Sequence, residues 1–126
     1  MTALKDKVAI CTGSGRTDGL GAAILRRLAA DGCKVVVTDI GESSGLLSDS
    51  DIGASSGMQE FADELRAAGA ECITVACDVR DQASVRNLMQ ETMNAFGRID
   101  ILINNAGVGY LMQDFREVAL DEWQLV

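Results

Sequence analysis

Hydrophobic residues fall along the chain in four short, nearly continuous runs: Lys7 to Thr12, Lys34 to Asp39, Cys72 to Ala76, and Ile99 to Asn104. Between the runs the apolar positions open out to helical spacing. A short run rich in Val and Ile predicts a strand covered on both faces, as strands of parallel sheets are. Strands that alternate with helical stretches predict an α/β fold built on a parallel sheet.

The helical stretches carry start and stop signals. Leu20 to Asp31 is rich in strong helix formers, and Gly32 stands where a left-handed C-terminal residue belongs. Ser56 and Gln59 have capping-box spacing, and Met58, Phe61, Ala62, Leu65 and Ala68 then share one face up to Gly69. Asp81 can cap a third helix whose stripe is Val85, Leu88, Met89, Thr92 and Phe96, closed by Gly97. These stripes predict core. A fourth helix is expected to begin near Asp121. Gly41 to Gly57 is dominated by Gly, Ser and Asp, a composition that predicts a flexible loop. Within and just after it, Asp49, Asp51 and Glu60 have the spacing of calcium ligands. Gly53 replaces a further ligand and Ala54 stands where the turn glycine is needed, so no metal site is expected.

Composition narrows the function classes. With 126 residues and 48% hydrophobic content, the chain is expected to form one domain with a real core. No apolar run approaches the ~20 residues of a membrane span, and a net charge of −8 argues against a nucleic-acid partner. Histidine is absent, which excludes His-based acid–base catalysis and His metal sites. The cysteines, Cys11, Cys33, Cys72 and Cys77, lack zinc-type pair spacing and are expected to be buried free thiols. The first residues lack a signal-peptide pattern, so a cytoplasmic chain is expected.

The first run leads directly into KVAICTGSGRTDGLG, Lys7 to Gly21. A strand, a glycine turn and a helix N-terminus can present unpaired N–H groups and a helix dipole to a phosphate. The general G-x-G-x-x-G pattern fails at Asp18, so the glycines alone also fit a generic turn. Asp39 ends the second run 18 residues after Gly21, close to the ~20 expected of a carboxylate that accepts from an adenosine ribose. Such a carboxylate repels a 2′-phosphate and favours NAD over NADP, while Arg16 argues mildly the other way. A helix-capping or turn aspartate is the alternative for Asp39.

Three motifs in order, Thr12-Gly13, Cys77-Asp78-Val79 and Asn104-Asn105-Ala106-Gly107, resemble the short-chain dehydrogenase/reductase family. The resemblance covers essentially the whole chain but only the family's first half. It implies a Rossmann-type doubly wound parallel sheet of order 3-2-1-4, truncated after the fourth strand, with residues 1–126 an incomplete dinucleotide-binding domain. It implies that Gly13, Gly19, Gly21 and the Leu20 backbone hold a pyrophosphate, that Asp78 bonds the adenine amino group with Val79 against the ring, and that Asn105, Ala106 and Gly107 line the ribose and nicotinamide side. The loop is two residues longer than the family's T-G-x-x-x-G-x-G, which leaves open whether Ser14, Gly15 and Arg16 or Thr17 and Asp18 face the cofactor.

The family's serine, Tyr-x-x-x-Lys pair and assisting asparagine are not matched here. Tyr110 is followed four residues on by Asp114 and stands too near Asn105 to be the family's acid. The resemblance therefore implies the N-terminal part of an NAD(P)-dependent oxidoreductase, NAD preferred, acting on a small-molecule alcohol or ketone and forming a homo-oligomer when full length. This chain alone is expected to be inactive. The alternative is a non-catalytic dinucleotide-binding module completed by a partner chain.

Overall fold

The computed structural model describes residues 3–42, 54–108 and 114–125. In chain order they form β1 (Val8–Cys11), α1 (Leu20–Ala30), β2 (Lys34–Asp39), α2 (Ser55–Ala67), β3 (Cys72–Ala76), α3 (Gln82–Phe96), β4 (Ile101–Ile103), a 3-10 turn (Phe115–Glu117) and α4 (Leu120–Leu125). The strands make one parallel sheet in the order β3-β2-β1-β4. Crossovers through α1 and α2 carry the chain outward from β1, and the order turns back at β4, next to β1. That reversal sets the C-terminal ends of β1 and β4 side by side, the position at which open α/β sheets bind ligands.

Strand alternation sorts the core into two layers. On one face Ala9, Cys11, Val35 and Val37 pack with Leu25, Met58, Phe61 and Leu65 of α1 and α2. On the other, Ile10, Val36, Val75 and Cys77 meet Leu88 of α3. Phe61 is fully buried, and its removal from such a layer costs about 3–5 kcal/mol. β4 is less covered: Ile101 and Ile103 pack on the α1/α2 layer, while Leu102, pointing the other way, is 50% exposed. The expectation of strands covered on both faces thus holds for β1 and β2 and not for β4.

Asp81 caps α3 as its position predicts, accepting from the N–H groups of Ala83 and Ser84, and Gly97 closes the helix at φ 73. The Ser56–Gln59 capping box does not form. Gly41 and Ala54 make a parallel bridge, and the Ser55 N–H and hydroxyl both donate to Gly41 O at 3.0 and 3.3 Å. The chain is drawn into the helix at Ser55, so Ser56 is already inside the first turn. Gln59 reaches forward to Asp63 at 2.9 Å instead. Residues 55–57, expected to be loop, are therefore helix. Asp49, Asp51 and Tyr110 lie outside the described residues. Among the described residues no helix is long and apolar enough to cross a membrane.

Candidate functional site

Leaving β1, the chain turns at Gly13 with φ +65 and enters α1 through Gly19. A Cβ on Gly13 would lie 2.7 Å from Ala106 Cα, and one on Gly21 would lie 2.9 Å from Ser14 Cα and 2.8 Å from Asn105 Nδ2. Gly13 lets the loop pack backbone to backbone on the residue after β4, and Gly21 lets the start of α1 close on the loop and the Asn105 side chain. Thr12 and Asn105 close that contact reciprocally. The Thr12 hydroxyl accepts from the Asn105 and Ala106 N–H groups at 3.1 and 3.0 Å. Asn105 Nδ2 donates to Thr12 O at 3.0 Å and Gly13 O at 3.1 Å.

The second tie of the loop is to β2. Ser14 is 1% exposed; its hydroxyl donates to Cys11 O at 2.7 Å and accepts from Thr38 N–H at 3.1 Å, while its own N–H donates to Thr38 O at 2.9 Å. Ser14 faces the protein interior and braces the loop from beneath. Gly15 N–H donates to Asp39 Oδ2 at 3.0 Å, and Ile40 N–H to Asp39 Oδ1 at 2.8 Å. Each carboxylate oxygen keeps a second lone pair for another donor. Arg16 and Asp18 are exposed and lie 3.6 Å apart as an ion pair. Of the loop residues, Ser14 and Gly15 are buried and Arg16 and Asp18 point to solvent.

The start of α1 suits an anion. Gly19 supplies no side-chain cap, and no acidic residue stands in the first turn, so the dipole end and its free N–H groups are unopposed. Leu20, the first helical residue, is 70% exposed. These features fit a pyrophosphate lying across the loop.

Beyond β3 the polar groups turn outward. Asp78 Oδ1 accepts from Arg80 N–H at 3.0 Å and Nε at 2.9 Å, and Oδ2 accepts from Nη2 at 2.7 Å. The Arg80 guanidinium holds the Asp78 carboxyl below its usual range. Asp78 N–H donates to Ser84 Oγ at 3.0 Å, and Val79 is 47% exposed beside it. Cys77 N–H donates to Asp39 O at 2.8 Å, which joins this segment to the end of β2. Ala106 and Gly107 are exposed just beyond the C-terminal end of β4. Burial pushes the Cys11 and Cys72 thiols up to about 11, so at neutral pH both are protonated and inert as nucleophiles.

Sequence reasoning gave no separate role to Thr12 or Arg80. A hydroxyl immediately before the turn glycine, and an arginine two residues after a carboxylate, were the available signals. It is strand pairing that brings Asn105 to Thr12, so Thr12 could not be assigned from spacing alone.

The family model for short chain dehydrogenases matches residues 7–126. An uncharacterised oxidoreductase of Thermotoga maritima is 37% identical over 123 residues, covering 98% of this chain and 42% of its own. The crystal structure of carveol dehydrogenase from Mycobacterium avium in complex with NAD superposes with a TM-score of 0.86 at 27% identity, covering 98% of this chain and 44% of that one. A short chain dehydrogenase from Burkholderia cenocepacia in complex with NADP gives a TM-score of 0.76 at 34% identity, covering 97% and 44%. The chain thus spans less than half the length of each of these proteins.

Proposed function

The chain belongs to the short-chain dehydrogenase family, and from that premise we propose that it is the cofactor-binding part of an NAD-dependent oxidoreductase. The pyrophosphate lies over the loop from Gly13 to Gly21, held by the N–H groups at the start of α1. The adenosine ribose sits against Asp39, and adenine sits between Asp78 and Val79. Ala106 and Gly107 line the ribose and nicotinamide side, where Asn105 acts by holding the loop. When bound, the dinucleotide supplies hydride transfer between its nicotinamide and a hydroxyl-bearing carbon of a small alcohol or ketone.

One observation carries the preference for NAD. The Asp39 carboxylate accepts from Gly15 N–H at 3.0 Å, so a negative charge is fixed against the glycine loop, where a 2′-phosphate would have to approach. Arg16, the cation within the loop, is exposed and pairs with Asp18. The related structures include one with NAD and three with NADP or NADPH, so the proposed choice rests on Asp39. Replacement by alanine tests it: titrations of Asp39→Ala with NAD and NADP are expected to bring the two affinities together, and an unchanged ratio would remove the ribose contact.

The residues present bind and orient; the family's serine and Tyr-x-x-x-Lys pair have no counterpart among them. This chain alone is therefore expected to show no turnover with simple alcohols. The buried free thiols suit a reducing, cytoplasmic compartment, and the whole enzyme is proposed to be a homo-oligomer.

A further inference from the structure

Resting on the placement of adenine beside Asp78, we propose that Arg80 is a positioning residue that makes the Asp78 carboxylate selective for a purine bearing an amino group. A carboxylate offers about four acceptor directions. Arg80 fills three of them with its own N–H, Nε and Nη2, at 3.0, 2.9 and 2.7 Å. Two fall on Oδ1 and one on Oδ2, so one direction on Oδ2 is left. A single free acceptor matches a single N–H of an exocyclic amine. A purine with a carbonyl at that position would set oxygen against oxygen.

The arrangement works only if the carboxylate cannot turn, and the surroundings hold it. Asp78 N–H is bonded to Ser84 Oγ at 3.0 Å on α3, and Asp81 N–H donates to Asp78 O at 3.1 Å. Asp81 in turn caps α3, so the segment is fastened to a helix at two points. The Arg80 N–H and the bidentate guanidinium then hold the two side-chain torsions, as planar fork-to-fork pairs do. A comparable fork joins Arg116 to Asp114, which identifies the fork itself as local chemistry. Asp78 differs in place: it follows the C-terminal end of β3, next to half-exposed Val79 and one bond away from Asp39 through Cys77.

The guanidinium has a second consequence. It keeps Asp78 ionised into acid, so acceptance from the amino group persists where a free carboxylate would be protonated.

The test is calorimetric titration of the full chain with NAD and with nicotinamide hypoxanthine dinucleotide, in which a carbonyl replaces the adenine amino group. The unaltered protein is expected to prefer NAD by about tenfold or more. In Arg80→Met the preference should fall to within about threefold, through weaker NAD binding with the hypoxanthine dinucleotide little changed. Its NAD affinity should also begin to fall at a higher pH than in the unaltered protein, a shift that a merely structural role would not produce. Because the pair lies at the surface and is partly exposed, Arg80→Met should shift the urea midpoint little. An unchanged preference in Arg80→Met overturns the proposal and leaves the adenine placement standing. An unchanged preference in Asp78→Asn overturns the placement, and the role of Arg80 with it. Failure of the unaltered chain to bind NAD overturns both.

Discussion

The glycine loop and the segment after β3 flank the same edge of the sheet, yet they use their polar groups differently. In the loop, Thr12, Ser14 and Asn105 commit hydroxyls and amide to main-chain partners on β1, β2 and β4. After β3, Asp78 and Arg80 bond each other at the surface, and Val79 stays half exposed. The loop is a joint between three strands that also offers N–H groups to a ligand. The later segment lies at the surface, and in the proposed placement it is where adenine would rest. Substitutions in the first should act on folding and binding together, and substitutions in the second on binding alone. Asp39 stands between them, because it holds the loop and, in the proposed placement, would also meet the ribose.

The largest effect is expected at Gly13. Alanine there must adopt φ +65 and place its Cβ 2.7 Å from Ala106 Cα, which costs about 2–4 kcal/mol in left-handed strain and overpacking. Urea unfolding of Gly13→Ala reads it directly, and a midpoint near the parent's would mean that the loop is not packed on β4 as described. Next comes Thr12→Val, which keeps the shape but strips the acceptor from two N–H groups, for a loss of about 2 kcal/mol. NAD affinity should fall in step. Asp39→Ala is intermediate: NAD should weaken about tenfold with NADP much less affected, and stability should drop by about 1 kcal/mol for the orphaned Gly15 N–H. If stability falls and the NAD to NADP ratio does not, Asp39 belongs wholly to the joint.

Val79→Ser sharpens the contrast from the other side. NAD should weaken about threefold through lost apolar contact, with the urea midpoint unmoved; a destabilised variant would show that this segment is scaffold after all. The smallest effect lies at the opposite edge of the sheet. There Asp100 is held at about 2, against an ordinary 3.8, first by Arg98 and then by the Val8 N–H. Because the folded value lies below the unfolded one, its contribution is complete above about pH 4 and is lost as pH falls through about 2. Asp100→Asn should therefore flatten part of the acid limb of a stability profile and leave NAD binding untouched.

Much of the fold was legible because parallel strands and amphipathic helices write their burial into residue spacing. All four runs became strands, although β1 and β4 are shorter than the runs that predicted them, and Asp81 and Gly97 bound α3 as expected. The capping box was misread because Ser56 and Gln59 carry the right spacing without the long-range fact that decides the start of α2, the Gly41–Ala54 bridge. In the candidate site, the glycine loop and Asp39 were suggested by distance along the chain, and Asp78 only by the family resemblance. The inward turn of Ser14 could not, since it depends on the backbone of Thr38 in a neighbouring strand. Nor could the mutual clamp of Thr12 and Asn105, 93 residues apart, because only the β1–β4 register brings them together.

The most direct test of a dinucleotide site at this edge is an NMR titration of the chain with NAD, following backbone amides. The expected shifts cluster at Gly15, Leu20 and Gly21 in the loop and at Asp78 and Val79 after β3, and leave Gly69 and Glu71 at the far end of the sheet unmoved. Shifts confined to the far end, or no saturable shift in the loop at millimolar NAD, would contradict it.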